Sequence, residues 1–407
     1  MMNKILIVNT GSASKKYALY SESTELCQIR LEKEKNPSTW FDTAHHKSFR
    51  INKYIAEFKV DQIKDKISIS PKTYDASISF LLGLLKSKGL LNDKKDISAV
   101  GIRVVAPGED FNSPNFIDKK YLDKLEKAKE VAPLHIIPLL SEIKQLQKNL
   151  KGIPMIGISD SAFYANMPQH SKIYGLPKKI TSKLEIYRYG YHGISMQSAL
   201  SKIGKLINEI PKKIIICHLG SGASISAIKD GKPFDTSMGF TPLEGLIMAT
   251  RVGNIDAGAL IYLSKKLKIG FDRLEKTLNT ESGLLGISGK SADMRELLEL
   301  EKTGDKEAKI AIEIFVYQIK KYIGSYAAVM NGLDLLVFTG TIGERSYIIR
   351  KRICANLESL NIQINSQENN VNFEQDGFIG GGKTKIAVIT ANEIAEMAKE
   401  TVGLLKL

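Results

Sequence analysis

The chain has 407 residues, 43% of them hydrophobic and 25% charged, with three cysteines and a formal net charge of +14. That balance excludes a disordered, collagen-like or disulfide-stapled protein, and no run approaches the roughly 20 apolar residues of a membrane span. The length exceeds one compact core and implies two domains. The positive charge would suit an anionic partner, yet lysine pairs such as Lys94–Lys95 and Lys212–Lys213 are scattered, without the interleaved aromatics of a single-strand binder, so no nucleic-acid or membrane partner is expected.

The first segment, KILIVNTGSASKKYALY from Lys4, is an apolar run, a Gly/Ser turn and a second run, which predicts a β-hairpin. It follows the start without a cleavable leader pattern, so a cytoplasmic location is expected. Helices are expected over Tyr121–Val131 and Ile137–Leu150, and a strand over Pro154–Ile158 that runs into SDSAF. From Lys213 the run KIIICHLGSGASISAI repeats the strand, Gly/Ser turn and strand of the start. Two copies of one turn, half a chain apart, suggest a duplicated domain. A long helical stretch begins near Lys306 and leads to a strand-to-loop signal, LLVFTGTIGERS, from Leu335 to Ser346. Strands and helices alternate throughout, which argues for an α/β protein of two related domains with ligands at the loops leaving the strand ends.

Near the end, GFIGGGKT from Gly377 to Thr384 satisfies the Walker A pattern letter for letter. A P-loop opens a helix whose N-terminus holds the phosphate. Here the following KIAVIT alternates like a strand, so the glycines read as a hairpin turn.

Several polar stretches together resemble the acetate kinase family over nearly the whole chain: NTGSASKKY, GIRVV, APLH, SDSAF, RYGYHG, HLGSGAS, DTSMGFTPLEGLIMATRVGNID from Asp235 to Asp256, and ESGLLGISGKSADMR from Glu281. The resemblance implies two duplicated ribonuclease H-like domains, the actin-like ATPase fold, with ATP in an interdomain cleft. It implies a domain 1–160 joined by a C-terminal helix 393–407, and a second domain 161–392 carrying the nucleotide site and a homodimer interface. The activity implied is magnesium-dependent transfer of the ATP γ-phosphoryl to acetate, with manganese as a substitute ion. The alternatives are another short-chain carboxylate such as propionate, or a nucleotide-binding homologue without turnover.

The same resemblance assigns residues. Arg103 and Arg251 match the two active-site arginines, and a planar guanidinium fork suits both a carboxylate and a phosphoryl in flight. Asp160 and Glu393 match the carboxylates that hold or orient magnesium, an ion that takes few protein ligands, with Asn9 beside them. His192 matches the histidine that donates to the phosphoryl. Val105, Leu134, Tyr191 and Pro242 match the apolar pocket for the acetate methyl. Nucleotide contacts are implied for Ser12, Ser14 and Lys16, for His218, Gly220, Ser221 and Gly222, for Asp293, Met294 and Arg295, and for Gly340, Thr341, Ile342, Gly343 and Arg345. The chain departs from the family pattern at Ile102, Ala106, Pro107, Ile136, Tyr164, Tyr191, Ser221, Thr341 and Arg345. Of these, Tyr191 is expected to bring a hydroxyl to the pocket rim, Ser221 to weaken a phosphate contact and Arg345 to alter nucleotide preference.

Overall fold

The computed structural model describes residues 4–11, 14–35, 51–60, 63–370 and 376–405. Ser12, one of the expected phosphate contacts, lies outside them. The chain divides into two compact units, Met1–Ala162 with Glu393–Leu407, and Phe163–Asn392.

The first unit is built on β1 (Lys4–Thr10), β2 (Ser14–Ser21), β3 (Thr24–Lys35), β4 (Ile51–Val60), β5 (Ile63–Ile69), β6 (Ile97–Val104), β7 (Asn115–Phe116) and β8 (Met155–Ser159), in the order β5-β4-β3-β2-β1-β6-β8-β7. β1 pairs antiparallel with β2 and parallel with β6, which is parallel to β8. The uninterrupted apolar run of β1 suits a strand in mid-sheet: Ile5, Leu6, Ile7 and Val8 are all buried. At the edge, β5 carries Lys64 and Lys66 and is mostly exposed, a composition that discourages further strand pairing.

The second unit contains β9 (Lys213–Leu219), β10 (Ala223–Lys229), β11 (Lys232–Thr236), β12 (Leu335–Thr339), β13 (Gln363–Ile364), β14 (Gly377–Gly381) and β15 (Lys385–Val388), ordered β11-β10-β9-β12-β15-β14-β13. The run β3-β2-β1-β6-β8 of one sheet and β11-β10-β9-β12-β15 of the other are the same topology, an antiparallel ribbon followed by parallel strands. Both Gly/Ser turns join the first two strands of their sheet. This is the duplicated actin-like ATPase fold.

Helices begin where short polar side chains can take up orphan N–H groups. Asp118 accepts from Tyr121 N at 2.7 Å and starts Lys119–Ala128, whose Tyr121, Leu125 and Ala128 share the buried face. Asp305 accepts from Ala308 N at 2.8 Å and opens the helix Lys306–Val329. The expected helix Ile137–Leu150 begins earlier, at Pro133, and ends at Asn149. The APLH stretch is therefore a helix start, because proline at a first position has no N–H to lose. The expected strand shifts by one, to Met155–Ser159, and Gly340–Arg345, read as loop, is a short helix.

The helix Glu393–Leu405 lies against β6 of the first unit, and Gly101 makes the approach possible. A Cβ there would stand 2.1 Å from Thr401 Oγ1. At the Walker-like run, β14 and β15 form an antiparallel hairpin with Thr384 in the connecting turn. Gly382 takes a positive φ of 126°, and the Thr384 hydroxyl lies 2.7 Å from the Leu360 carbonyl. A strand follows, not a helix, so the letters are those of a turn.

Candidate active site

In the first unit the side chains of Asn9, Arg103, Asp160 and Glu393 meet. Arg103 is on β6 and Asn9 on β1, the neighbouring parallel strand; Asp160 follows β8, and Glu393 opens the last helix. The Arg103 fork donates from Nη2 to Asp160 Oδ2 at 2.6 Å and from Nε to Oδ1 at 3.3 Å. Its other arm donates to Asn9 Oδ1 at 3.2 Å and to Glu393 Oε2 at 3.3 Å. Asn9 Nδ2 donates to the same Glu393 oxygen at 3.0 Å, which closes a ring of hydrogen bonds. Asp160 is 1% exposed, so its charge depends on this pairing. Burial alone would lower the guanidinium's pKa; Asp160 and then Glu393 outweigh it and hold the group above its ordinary value.

Beside this ring is a recess of about 10 Å³ lined by Thr10, Gly11, Arg103, Val105, Leu134, His135, Pro138 and Leu139, room for about one water-sized group. Pro138, inside the helix from Pro133, withholds an N–H from the Leu134 carbonyl at the recess wall. Val105 and Leu134 are thus brought together with Arg103. Lys16 faces Asn9 across the β1–β2 ribbon, and Ser14 starts β2. Lys15 points to the opposite side, where its ammonium meets Glu142 at 2.8 Å, together with Tyr17 Oη at 2.5 Å and the Ser77 hydroxyl at 3.0 Å.

The second unit carries a second constellation around the HLGSGAS turn. His192 has φ 60° and stands at the N-cap position of the helix Gly193–Ile207 in the left-handed region, without a side-chain capping bond, a strain of about 1–3 kcal/mol that its surroundings must hold. Its Nδ1 is 3.0 Å from Ser224 Oγ, and its ring stacks on His218 at 4.3 Å. His218 Nδ1 is in turn 2.8 Å from Ser195 Oγ. A Cβ on Gly222 would stand 3.1 Å from His192 Nε2 and 3.9 Å from Arg251 Nη1, so the missing side chain leaves imidazole and guanidinium free to line the turn. Arg251 donates from Nη1 to the Pro242 carbonyl at 3.3 Å, and Ser221 O accepts from Ala249 N at 3.1 Å.

Tyr191 is 1% exposed and its hydroxyl donates to the Phe240 carbonyl at 2.7 Å. The hydroxyl is thus taken by the backbone, which corrects the expectation that it stands on a pocket rim. Gly340 has φ 77° and packs on the Leu219 backbone; its N–H donates to Glu344 at 3.0 Å, which holds the first turn of the short helix Gly340–Arg345, including Thr341, Ile342 and Gly343. Arg345 is exposed. Asp293 caps Met294–Lys302 and is forked by the largely exposed Arg295 at 2.6 and 3.0 Å, while Met294 is buried. Ser195, Ser224, His135 and Glu142 were not marked from the sequence. Ser224 shares with His218 a pair of facing positions on β9 and β10, and strand alternation was the signal available for it.

The sequence profile of the Acetokinase family matches residues 4–399. The chain belongs to the acetokinase family. It is 37% identical over 415 residues to the acetate kinase of Coprothermobacter proteolyticus, covering 99% of each chain. Among solved structures, the acetate kinase of Porphyromonas gingivalis superposes with a TM-score of 0.84 at 33% identity, with 99% of this chain and 100% of that one covered. A propionate kinase from Francisella tularensis gives 0.86 at 35% identity, again with 99% and 100% covered. The family's enzymes bind acetate and ATP or ADP and use a divalent metal.

The donors of the first unit fit such an ion. Asp160, Glu393 and the Asn9 amide present hard oxygen atoms, gathered by their hydrogen bonds from Arg103. Among the described residues no group of three or more His, Cys, Asp or Glu converges. A sparse set suits an ion that keeps most of its shell as water and phosphate oxygens. Among the described residues no helix is long and apolar enough to cross a membrane.

Proposed function

We propose that this chain is an ATP:acetate phosphotransferase that forms acetyl phosphate by direct in-line transfer. The observation that carries the reading is Arg103, held by Asp160, Asn9 and Glu393 next to a recess walled by Val105 and Leu134, in a chain of this family. Arg103 orients the acceptor carboxylate, and the recess takes its methyl. Magnesium held by Asp160, Glu393 and Asn9 would neutralise charge on the nucleotide's phosphate oxygens. Lys16 and Ser14 of the first turn face phosphate. In the second unit Arg251 holds the acceptor carboxylate and, with His192, stabilises negative charge on the transferring group; His192 can donate from Nε2 because Ser224 at Nδ1 can serve as donor to the ring. The backbone of Gly220, Ser221 and Gly222, with His218, contacts phosphate, and Asp293, Met294, Arg295 and the helix Gly340–Arg345 contact the nucleoside. Tyr191 and Pro242 are assigned to acceptor binding.

The small recess favours acetate over longer acids, by about 1–3 kcal/mol per methylene. Propionate is the second reading, favoured by the likeness to a propionate kinase. A cytoplasmic setting suits the free, buried Cys27, Cys217 and Cys354. A homodimer is supported by the helix Ala257–Leu267, which has no buried residue and, with its flanks, exposes Ile255, Ile261, Tyr262, Leu267 and Phe271, the last at 84%.

The test is a panel of short carboxylates with ATP, magnesium and hydroxylamine, the acyl phosphate being trapped as hydroxamate. Acetate should give product, and Arg251→Ala should abolish it. Unchanged turnover in that variant would refute the assigned roles.

A further inference from the structure

The loop Ser237–Glu244 has neither helix nor strand, yet two of its carbonyls hold side chains of the second constellation. Phe240 O accepts from Tyr191 and Pro242 O from Arg251. An irregular loop can set those groups only if something fixes the loop. Three side chains outside the assigned site do so. Arg188 Nη2 donates to Glu244 Oε1 at 2.6 Å, Nη1 lies 3.2 and 3.4 Å from the carbonyls of Thr236 and Ser237, and Nε donates to Ser171 O at 3.2 Å. Tyr174 donates to Glu244 Oε2, accepts from Phe240 N at 2.9 Å and lies under the Arg188 guanidinium at 5.4 Å.

The two peptide units that flank the Phe240 Cα are therefore both gripped, the Phe240 nitrogen by Tyr174 and the Phe240 oxygen by Tyr191. Gly239 leaves the space for this grip. A Cβ there would stand 1.7 Å from Glu244 Oε2 and 2.2 Å from Tyr174 Oη. Directional hydrogen bonds fix how carbonyls point, which apolar packing of the same volume would not. A planar fork spreads five donors over three nitrogens and so reaches acceptors on separate segments in fixed directions, whereas a lysine has three donors on a single nitrogen.

We propose that Arg188, Glu244 and Tyr174 are positioning residues that fix the loop Ser237–Glu244 and, through its Phe240 and Pro242 carbonyls, the stance of Tyr191 and Arg251 towards the acceptor. This rests on the phosphotransferase reading above. The grip acts on how acetate is held rather than on nucleotide affinity.

The test uses the full-length enzyme with Tyr174→Phe, Arg188→Lys and Glu244→Gln, assayed by hydroxamate trapping over a range of acetate and of ATP. Glu244→Gln and Arg188→Lys should raise KM for acetate about tenfold, as for one charge-assisted hydrogen bond lost, and Tyr174→Phe about fivefold. KM for ATP should stay within about twofold. A reduced folded fraction lowers the apparent kcat but leaves KM for acetate where it was, so wild-type KM in all three variants overturns the proposal. A wild type without acetyl phosphate formation would fail the functional reading instead. In that event a crystal structure of Tyr174→Phe decides, since the Pro242 carbonyl still within hydrogen-bonding distance of Arg251 Nη1 overturns the positioning role and its displacement supports it.

Discussion

Arg103 serves two carboxylates at once, and that asymmetry gives a ranked prediction. Arg103→Met keeps most of the volume but leaves Asp160, 1% exposed, and Glu393, 18% exposed, as neighbouring anions without their cation. Breaking a buried pair in this direction costs about 3–5 kcal/mol. Asp160→Asn removes one negative charge and leaves the guanidinium with Glu393 at 3.3 Å and Asn9 at 3.2 Å; the loss should be near that of a hydrogen bond to a charged group, about 1.5–3 kcal/mol. Glu393→Gln weakens the longer and more exposed pair and should cost about 0–1 kcal/mol. Calorimetry on the three variants, read on whichever transition shifts because two units need not unfold together, should return that order. Activity should not follow it. All three side chains are assigned to the reaction, so hydroxamate formation should fall by about 10²-fold or more even in Glu393→Gln. Equal destabilisation by Asp160→Asn and Arg103→Met, or a full-rate Glu393→Gln, would refute the reasoning.

Glu142 is 1% exposed and accepts from Lys15, Tyr17 and Ser77, so Glu142→Leu should destabilise by about 3–5 kcal/mol in urea unfolding, and a loss under 1 kcal/mol would contradict the network. Burial raises the pKa of Asp235 above 3.8; the folded state then holds this proton more tightly than the unfolded chain, and the group's contribution to stability is lost as pH rises through its folded pKa. Asp235→Asn, whose amide oxygen can still accept from Thr236 N, should therefore be more stable than wild type at pH 7 and lose that advantage below about pH 3.8; equal differences at pH 3 and pH 7 would count against it. Burial pushes Cys27 up to about 11 and Cys354 up to about 12, and Cys217 well above its ordinary value. At pH 8 about one thiol in a thousand or fewer is ionised, so a thiol reagent should find none of the three in the native protein and all three in denaturant.

The hairpins were readable because a Gly/Ser turn between apolar runs admits few other structures, and the false Walker run because Ile386, Val388 and Ile389 continue it with strand-forming side chains. Arg103, Val105 and Leu134 were placed by their motifs and meet at one recess. What escaped was what joins distant parts of the chain. Lys15 reaches Glu142 across 127 positions and Arg188 reaches Glu244 across 56, and no spacing rule links such residues. Parity along β2 alone would have separated Lys15 from Lys16, since successive strand residues face opposite ways. The hydroxyl of Tyr191 looked like a change of specificity because a sequence shows a functional group but not its acceptor, here the Phe240 carbonyl.

The two carboxylates on Arg103 are 57 and 290 positions away, and the second arrives with the helix that covers Gly101. During translation, a growing chain that has reached Asn392 holds every strand of both sheets, and Arg103 has Asp160 but not yet Glu393. The unit whose synthesis starts first is therefore the one finished last. Until the ribosome has added that helix, β6 keeps an uncovered face and the ring around Arg103 stays open, so the first unit closes only after every strand of the second has been made.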